Sequence, residues 1–199
     1  MVVDHSKDEQ VEALFNKIKK ENNGRLDILV NNAFAGVDVI FNPGNKRSKF
    51  YNLDPAEQWD ALNGVGLRNH FMCTVYASRL MVERTEGLIV NISSAGGIRY
   101  LFNAAYGIGK AACDRMAADC AIEFRESNIT MVSLWPGPVK TEFIQEYVID
   151  GGKIIIIKKH PIFNKFKSLE KQLLQRQGLK NKFYKSISLK MILEFRKKK

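Results

Sequence analysis

Three short and nearly unbroken apolar runs constrain this chain more than any other feature: LDILV at 26–30, LIVNI at 88–92 and ITMVSLW at 129–135. Each fits a strand covered on both faces of a parallel sheet. Helical periods stand between and before them. Val11, Leu14, Phe15 and Ile18 recur at i, i+3, i+4 and i+7 within residues 7–21, and Asn22-Asn23-Gly24 closes that segment with residues that accept a left-handed backbone. Asp54-Pro55-Ala56-Glu57 is a helix start, with Asp54 as N-cap, Pro55 at N1 and Glu57 at N3. This helix is predicted to run to residue 82 across Gly64 and Gly66, each of which weakens it by about 1 kcal/mol relative to alanine. A further helix is predicted over 105–124. Residues 37–53 read as loop, with a turn at Asn42-Pro43-Gly44-Asn45, and residues 1–4 read as the end of a strand. Strands alternating with helices of these lengths specify an α/β fold built on a parallel sheet.

Composition narrows the class. With 199 residues, 45% hydrophobic and 26% charged, the chain suits one domain, or one domain and a tail. It holds no run of eighteen apolar residues and no basic-then-apolar leader at Met1, so no membrane span is expected and the default address is the cytoplasm. Cys73, Cys113 and Cys120 form no CxxC pair and have no metal-ligand spacing with His5, His70 or His160. A disulfide scaffold and a zinc module are therefore excluded, and no metal is expected. The net charge of +10 is not evenly spread: residues 1–150 carry 16 Lys and Arg against 19 Asp and Glu, whereas 151–199 carry 15 against two. A boundary thus falls near Gly151, dividing a domain at 1–150 from a divergent, basic, Lys/Ile-rich segment at 151–199. Phe163, Phe166, Phe183 and Tyr184 are interleaved with the basic residues, but nothing matches a nucleic-acid module and no nucleic-acid partner is expected. The run Ile154–Ile157 is read as a further strand or an exposed edge.

Ligands of open α/β sheets bind past the carboxyl ends of the strands. Those ends read NNAFAG at 31–36, SSAGG at 93–97 and PGPVKT at 136–141, and between the last two lies Tyr106-Gly-Ile-Gly-Lys110, a tyrosine and a lysine on one helix face. NNAxAG, a strand ending in NISS, YxxxK and PGPVKT, in that order, resemble the catalytic half of the short-chain dehydrogenases/reductases over roughly residues 3–145. The resemblance implies a partial Rossmann-like doubly wound parallel sheet lacking its first βαβ half. It implies an NAD(P)-dependent oxidoreductase that interconverts carbonyl and alcohol groups of a small-molecule substrate, using NADP or NAD. The family's TGxxxGxG turn is not found in the chain, so the resemblance also implies a fragment, impaired in activity, with two βα units preceding Met1. It further implies a homo-oligomer formed through the helices at about 54–82 and 105–125, and association with the endoplasmic reticulum. A non-catalytic interaction fragment is the alternative from another class, and a basic-tail nucleic-acid binder a lesser one.

The chemistry can be reasoned from the residues themselves. Reducing a carbonyl needs an acid at the oxygen where negative charge develops. A phenol of ordinary pKa near 10 is a weak acid at neutral pH, but an ammonium about 4 Å away would favour the phenolate by roughly 4 kcal/mol at an effective dielectric near 20. Tyr106 is accordingly assigned as proton donor and Lys110 as the group that lowers its pKa; by resemblance both also bind the cofactor, Lys110 holding the nicotinamide ribose. A serine hydroxyl would donate to the same oxygen. Ser93 has the common spacing to Tyr106; Ser94 matches by motif and is chosen, with one residue deleted between. By resemblance, Asp4 contacts adenine (or else caps the first helix), Asn31 and Ala33 the adenosine ribose region, and Val139 and Thr141 the nicotinamide carboxamide. Asn32 is expected to bond neighbouring strands. The family's proton-relay asparagine falls on Gly66, with Asn63 one turn earlier as a substitute through water. Cys113, Cys120, His70, Trp59 and Trp135 are assigned to packing.

Overall fold

The computed structural model describes residues 1–41 and 49–136, together with the backbone of 189–193. The chain divides into two compact units, Met1–Leu134 with Leu193–Lys199, and Trp135–Ile192. In the first unit, helix α1 (Asp8–Glu21) leads to strand β1 (Ile28–Asn31), a short helix α2 (Val37–Phe41) and a 3-10 turn at Phe50–Asn52. Helix α3 (Pro55–Asn63), a π turn (Gly64–Asn69) and helix α4 (His70–Val82) then form one helical path to strand β2 (Gly87–Ile92). Helix α5 (Ala104–Glu123) crosses to strand β3 (Ile129–Pro136). Strand β4 (Leu189–Leu193) belongs mostly to the second unit. The predicted turn at 42–45, the boundary near Gly151 and the run at 154–157 lie outside the described residues.

β1, β2 and β3 pair parallel in that order, with Asn31 opposite Asn91 and Asn91 opposite Ser133. The architecture is the α/β class that the apolar runs specify, a partial Rossmann-like sheet. Alternation along the strands sends Ile89, Met131 and Ile129 into a core with Val11 and Phe15 of α1, Cys73, Ala77, Leu80 and Met81 of α4, and Ala117 of α5. The opposite face of β1 carries Ile28 and Val30, 58% and 53% exposed.

Local chemistry fixes the helix ends. Asp54 accepts from the Glu57 amide at 2.7 Å with Pro55 next to it, as predicted. Asn23 and Gly24 take φ of 49° and 74°, the left-handed turn that ends α1. Three expectations are corrected. Residues 1–4 are not a strand; Asp4 instead begins the turn into α1. Residues 37–41 are helical rather than loop, because Val39, Ile40 and Phe41 pack beside Leu62 and Tyr106. Trp59 is 44% exposed instead of packed inside, whereas Trp135 is buried. The helix predicted to 82 exists, but it passes through the π turn where Gly64 and Gly66 stand. No helix among the described residues is long and apolar enough to cross a membrane.

Candidate active site

The site forms where β2 ends against the start of α5. The Ser93 amide still bonds Leu134 O at 2.8 Å, continuing the sheet ladder. Beyond it the side chains alternate. Ser93 turns into the protein, 3% exposed, and its hydroxyl donates to Lys110 O at 3.0 Å. Ser94 turns the other way, accepts from the Gly96 amide at 3.1 Å and lies near enough to the Tyr106 phenol to lower its pKa against the effect of burial. The spacing left the choice between the two serines to the motif; the geometry places Ser94 beside the phenol and ties Ser93 to helix backbone. Gly96 is required for this approach, since a Cβ there would stand 2.6 Å from the Tyr106 ring.

Asn103 caps α5 by accepting from the Tyr106 amide at 2.9 Å, which sets the phenol in the first helical turn. Lys110 follows one turn later, 7% exposed, and its ammonium donates to Ile92 O at 3.1 Å. The expected electrostatics need correction. Burial raises the Tyr106 pKa above its ordinary 10.0, with the Ser94 hydrogen bond opposing and Cys113 adding to the rise. Burial likewise lowers that of Lys110, opposed by Cys113 and Asp114. The ammonium does not meet the phenol oxygen: it is turned to the Ile92 carbonyl and stands 5.9 Å from the centroid of the Tyr106 ring. Desolvation therefore outweighs the favourable charge invoked from spacing, and Tyr106 is held as a neutral phenol.

The other candidates sort by place. Asn31 is 4% exposed, and its amide nitrogen lies 2.8 Å from Asn91 Oδ1, 3.0 Å from Thr74 Oγ1 and 3.3 Å from His70 O. The strand-bridging role expected of Asn32 therefore belongs to Asn31, while Asn32 is exposed; parity along β1 decides which of the two faces inward. Ala33 O accepts from His70 Nε2 at 3.0 Å, so α4 fixes the loop after β1. Asp4 is exposed and accepts from the Ser6 amide and hydroxyl at 2.9 and 2.7 Å, which lowers its pKa. It does not cap α1, whose N-cap is Lys7. Val139 and Thr141 lie outside the described residues. Asn63 donates to Ala105 O at 3.2 Å and lies over Gly109, where a Cβ would clash with its Oδ1, so its amide is engaged with α5 backbone.

Two groups that packing alone does not describe sit behind the site. Cys113, fully buried, donates its thiol to Gly66 O at 3.3 Å, a carbonyl within the π turn, and lies 3.9 Å from His70 Nδ1. Burial pushes the Cys113 thiol up to about 11, so it stays protonated. His70, 1% exposed, is lowered from 6.5 to about 4 chiefly by burial. Below pH 6.5 the unfolded chain therefore takes up a proton that the folded chain refuses until about pH 4, and stability falls with acidification across that window. The loss is about 2 kcal/mol by about pH 5. Urea unfolding of wild type and His70→Gln at both ends of this range checks it: the variant should show a flatter acid limb, and parallel limbs would reject the assignment.

Sequence reasoning missed Phe34 and Asn103. Asn103 had a signal, an N-cap residue type three positions before a helical tyrosine. Phe34 had only its place inside the NNAFAG loop; its ring lies 6.0 Å from that of Tyr106, edge to face.

Comparisons with known proteins bear on this geometry. Residues 1–150 match the family model described as short chain dehydrogenase. Dehydrogenase/reductase SDR family member 1 from Mus musculus is 48% identical over 167 residues, covering 84% of this chain and 51% of that protein. The Homo sapiens protein of the same name is 48% identical over 168 residues, with the same coverage. The chain thus spans about half the length of these curated relatives. Among solved structures, ElxO with NADP bound aligns at TM-score 0.66 and 29% identity, over 76% of this chain and 58% of that one. A metagenomic short-chain oxidoreductase in complex with NADP aligns at 0.59 and 28%, over 70% and 59%.

Proposed function

The chain belongs to the short-chain dehydrogenase family, and from that premise we propose that Ser94, Tyr106 and Lys110 form the acid–base centre of an NADP- or NAD-dependent oxidoreductase acting on carbonyl or alcohol groups of small molecules. One observation carries the reading: the strand end and the first turns of α5 set Ser94 beside the Tyr106 phenol, with the Lys110 ammonium one turn along at the Ile92 carbonyl, while the neighbouring Ser93 is turned away. The donor set suits the nicotinamide-ribose end of such a cofactor. A pyrophosphate cradle is not among the described residues, where the helices of eight or more residues start from Lys7, Asp54, Asn69 and Asn103 rather than from a glycine-rich turn.

A bound nicotinamide supplies the hydride. Tyr106, neutral at physiological pH, donates its proton to the carbonyl oxygen, and Ser94 hydrogen-bonds the same oxygen. Lys110 would hold the ribose hydroxyls of such a cofactor with the protons its ammonium does not give to Ile92 O. Asn31 and Ala33, whose polar atoms are bonded inward, set the loop on which the adenosine side would rest. Val139 and Thr141 are proposed for the carboxamide and Asp4 for the adenine. Titration calorimetry of the full chain with NADPH tests the reading. Binding tighter than about 100 µM, roughly −5.5 kcal/mol, would reject the non-catalytic interaction fragment, and heats no larger than dilution would reject the cofactor-binding reading for this chain.

A second reading has its own support. Trp59 and Phe71, 44% and 55% exposed, line an outer groove of about 590 Å³ together with Leu67, Ala112 and Met116 between the α3–α4 path and α5. We propose that a second copy of the chain occupies this groove, which would yield a homo-oligomer. Light scattering of wild type and Phe71→Glu tests it: a dimer that becomes monomeric supports the reading, and a monomer in both rejects it.

A further inference from the structure

Lys110 presents an unusual balance for a buried cation. An ammonium has three protons to donate, and the Ile92 carbonyl takes one at 3.1 Å. Its nitrogen also stands over the ring of Phe34, 4.9 Å from the centroid, within the roughly 6 Å at which an aromatic face attracts a cation. The ring has little freedom to leave. A Cβ on Gly66 would fall 2.7 Å from its Cδ2 and one on Gly36 2.8 Å from its Cζ, so the loop after β1 and the π turn grip it from two sides. Tyr106 meets it edge to face at 79°. We infer that Phe34 is a positioning residue that holds the Lys110 ammonium, charged and at the Ile92 end of β2, through its ring face.

The remaining neighbours leave room for that role. Burial opposes the charged lysine and Asp114 on α5 favours it, Cys113 keeps its proton, Tyr106 is neutral, His70 on α4 is a neutral imidazole, and β2 contributes the Ile92 carbonyl dipole. A face-on aromatic is the contact that compensates desolvation without admitting water. The inference rests on the proposed use of Lys110, but its test reads the ammonium itself.

The full chain is isotope-labelled at lysine Cε, and the Lys110 resonance is assigned by its loss in Lys110→Gln and followed with pH. Phe34→Leu, apolar without a ring, is expected to lower the Lys110 pKa by about half to one and a half units, the span of a cation–π contact at 1.36 kcal/mol per unit. Phe34→Tyr is expected to retain the wild-type value. Because a smaller side chain can loosen the fold, fluorinated phenylalanines at position 34 supply a second series of nearly constant shape. Here the pKa should fall stepwise as fluorine drains charge from the ring face. A titration unchanged across the series overturns the role of Phe34 whether or not NADPH binds, and so fails separately from the oxidoreductase reading.

Discussion

Tyr106→Phe is expected to cut carbonyl reduction by about 10²–10⁴-fold, the usual share of a general acid, while leaving NADPH affinity and stability nearly unchanged. The hydroxyl is the only atom removed, and the ring keeps its edge contacts with Phe34 and Phe102 at 6.0 and 5.0 Å. The direction of the pKa shift adds a second expectation. A phenol pushed above 10.0 is fully protonated at neutral pH, so reduction should be flat there. Oxidation, which needs the phenolate, should climb with pH and reach no plateau below about 10. Steady-state rates in both directions across pH check this. A variant that keeps more than a tenth of wild-type reduction, or an oxidation profile that levels near neutrality, would remove Tyr106 from the proposed role.

The second large effect concerns stability. Asn31→Leu keeps the branched shape, though not the smaller volume, and takes the amide away from Asn91 Oδ1, Thr74 Oγ1 and the His70 carbonyl in a buried site. A buried polar atom left without its partner costs about 1–3 kcal/mol, and with several acceptors affected the expected loss is about 3 kcal/mol. The paired change Asn31→Leu with Asn91→Leu removes the donor together with its closest acceptor, 0% exposed, and should recover part of that loss. Equilibrium urea unfolding of the two single variants and the double separates the outcomes. Strict additivity would show that the Asn31–Asn91 bond does not bind the strand ends together.

The parts of the fold that were legible are those in which local pattern and tertiary packing agree. The apolar runs became β1, β2 and β3, the stripe at Val11, Leu14, Phe15 and Ile18 became α1, and Asp54-Pro55-Ala56-Glu57 started α3. The short helix at Val37–Phe41 was not legible, because it exists only to lay Ile40 against Leu62 and Tyr106. Around the candidate site, the shared helix face of Tyr106 and Lys110 was readable from helical spacing, and Ser94 was chosen from motif, since period and sequence order fix which face a side chain takes. Where the ammonium points is a different matter. Spacing places Lys110 one turn from Tyr106, but the Ile92 carbonyl and the Phe34 ring, both distant in sequence, decide its direction. The sign of the Tyr106 shift was misjudged for the same reason: desolvation is a property of everything packed around a group.

The π turn has a consequence for helical phase. Six regular α-turns take about 21.6 residues, yet from Gln58 to the Leu80–Met81 pair, all facing inward, the chain spends about one residue more. That surplus is what a single wide turn absorbs. Without it, α4 would arrive rotated by roughly 100°, swinging Cys73 and Ala77 off the sheet. Deleting the surplus residue between 64 and 69 would thus let a regular helix reach α4 in step, whereas inserting one more would throw the adjoining helix out of phase while leaving its own sequence intact.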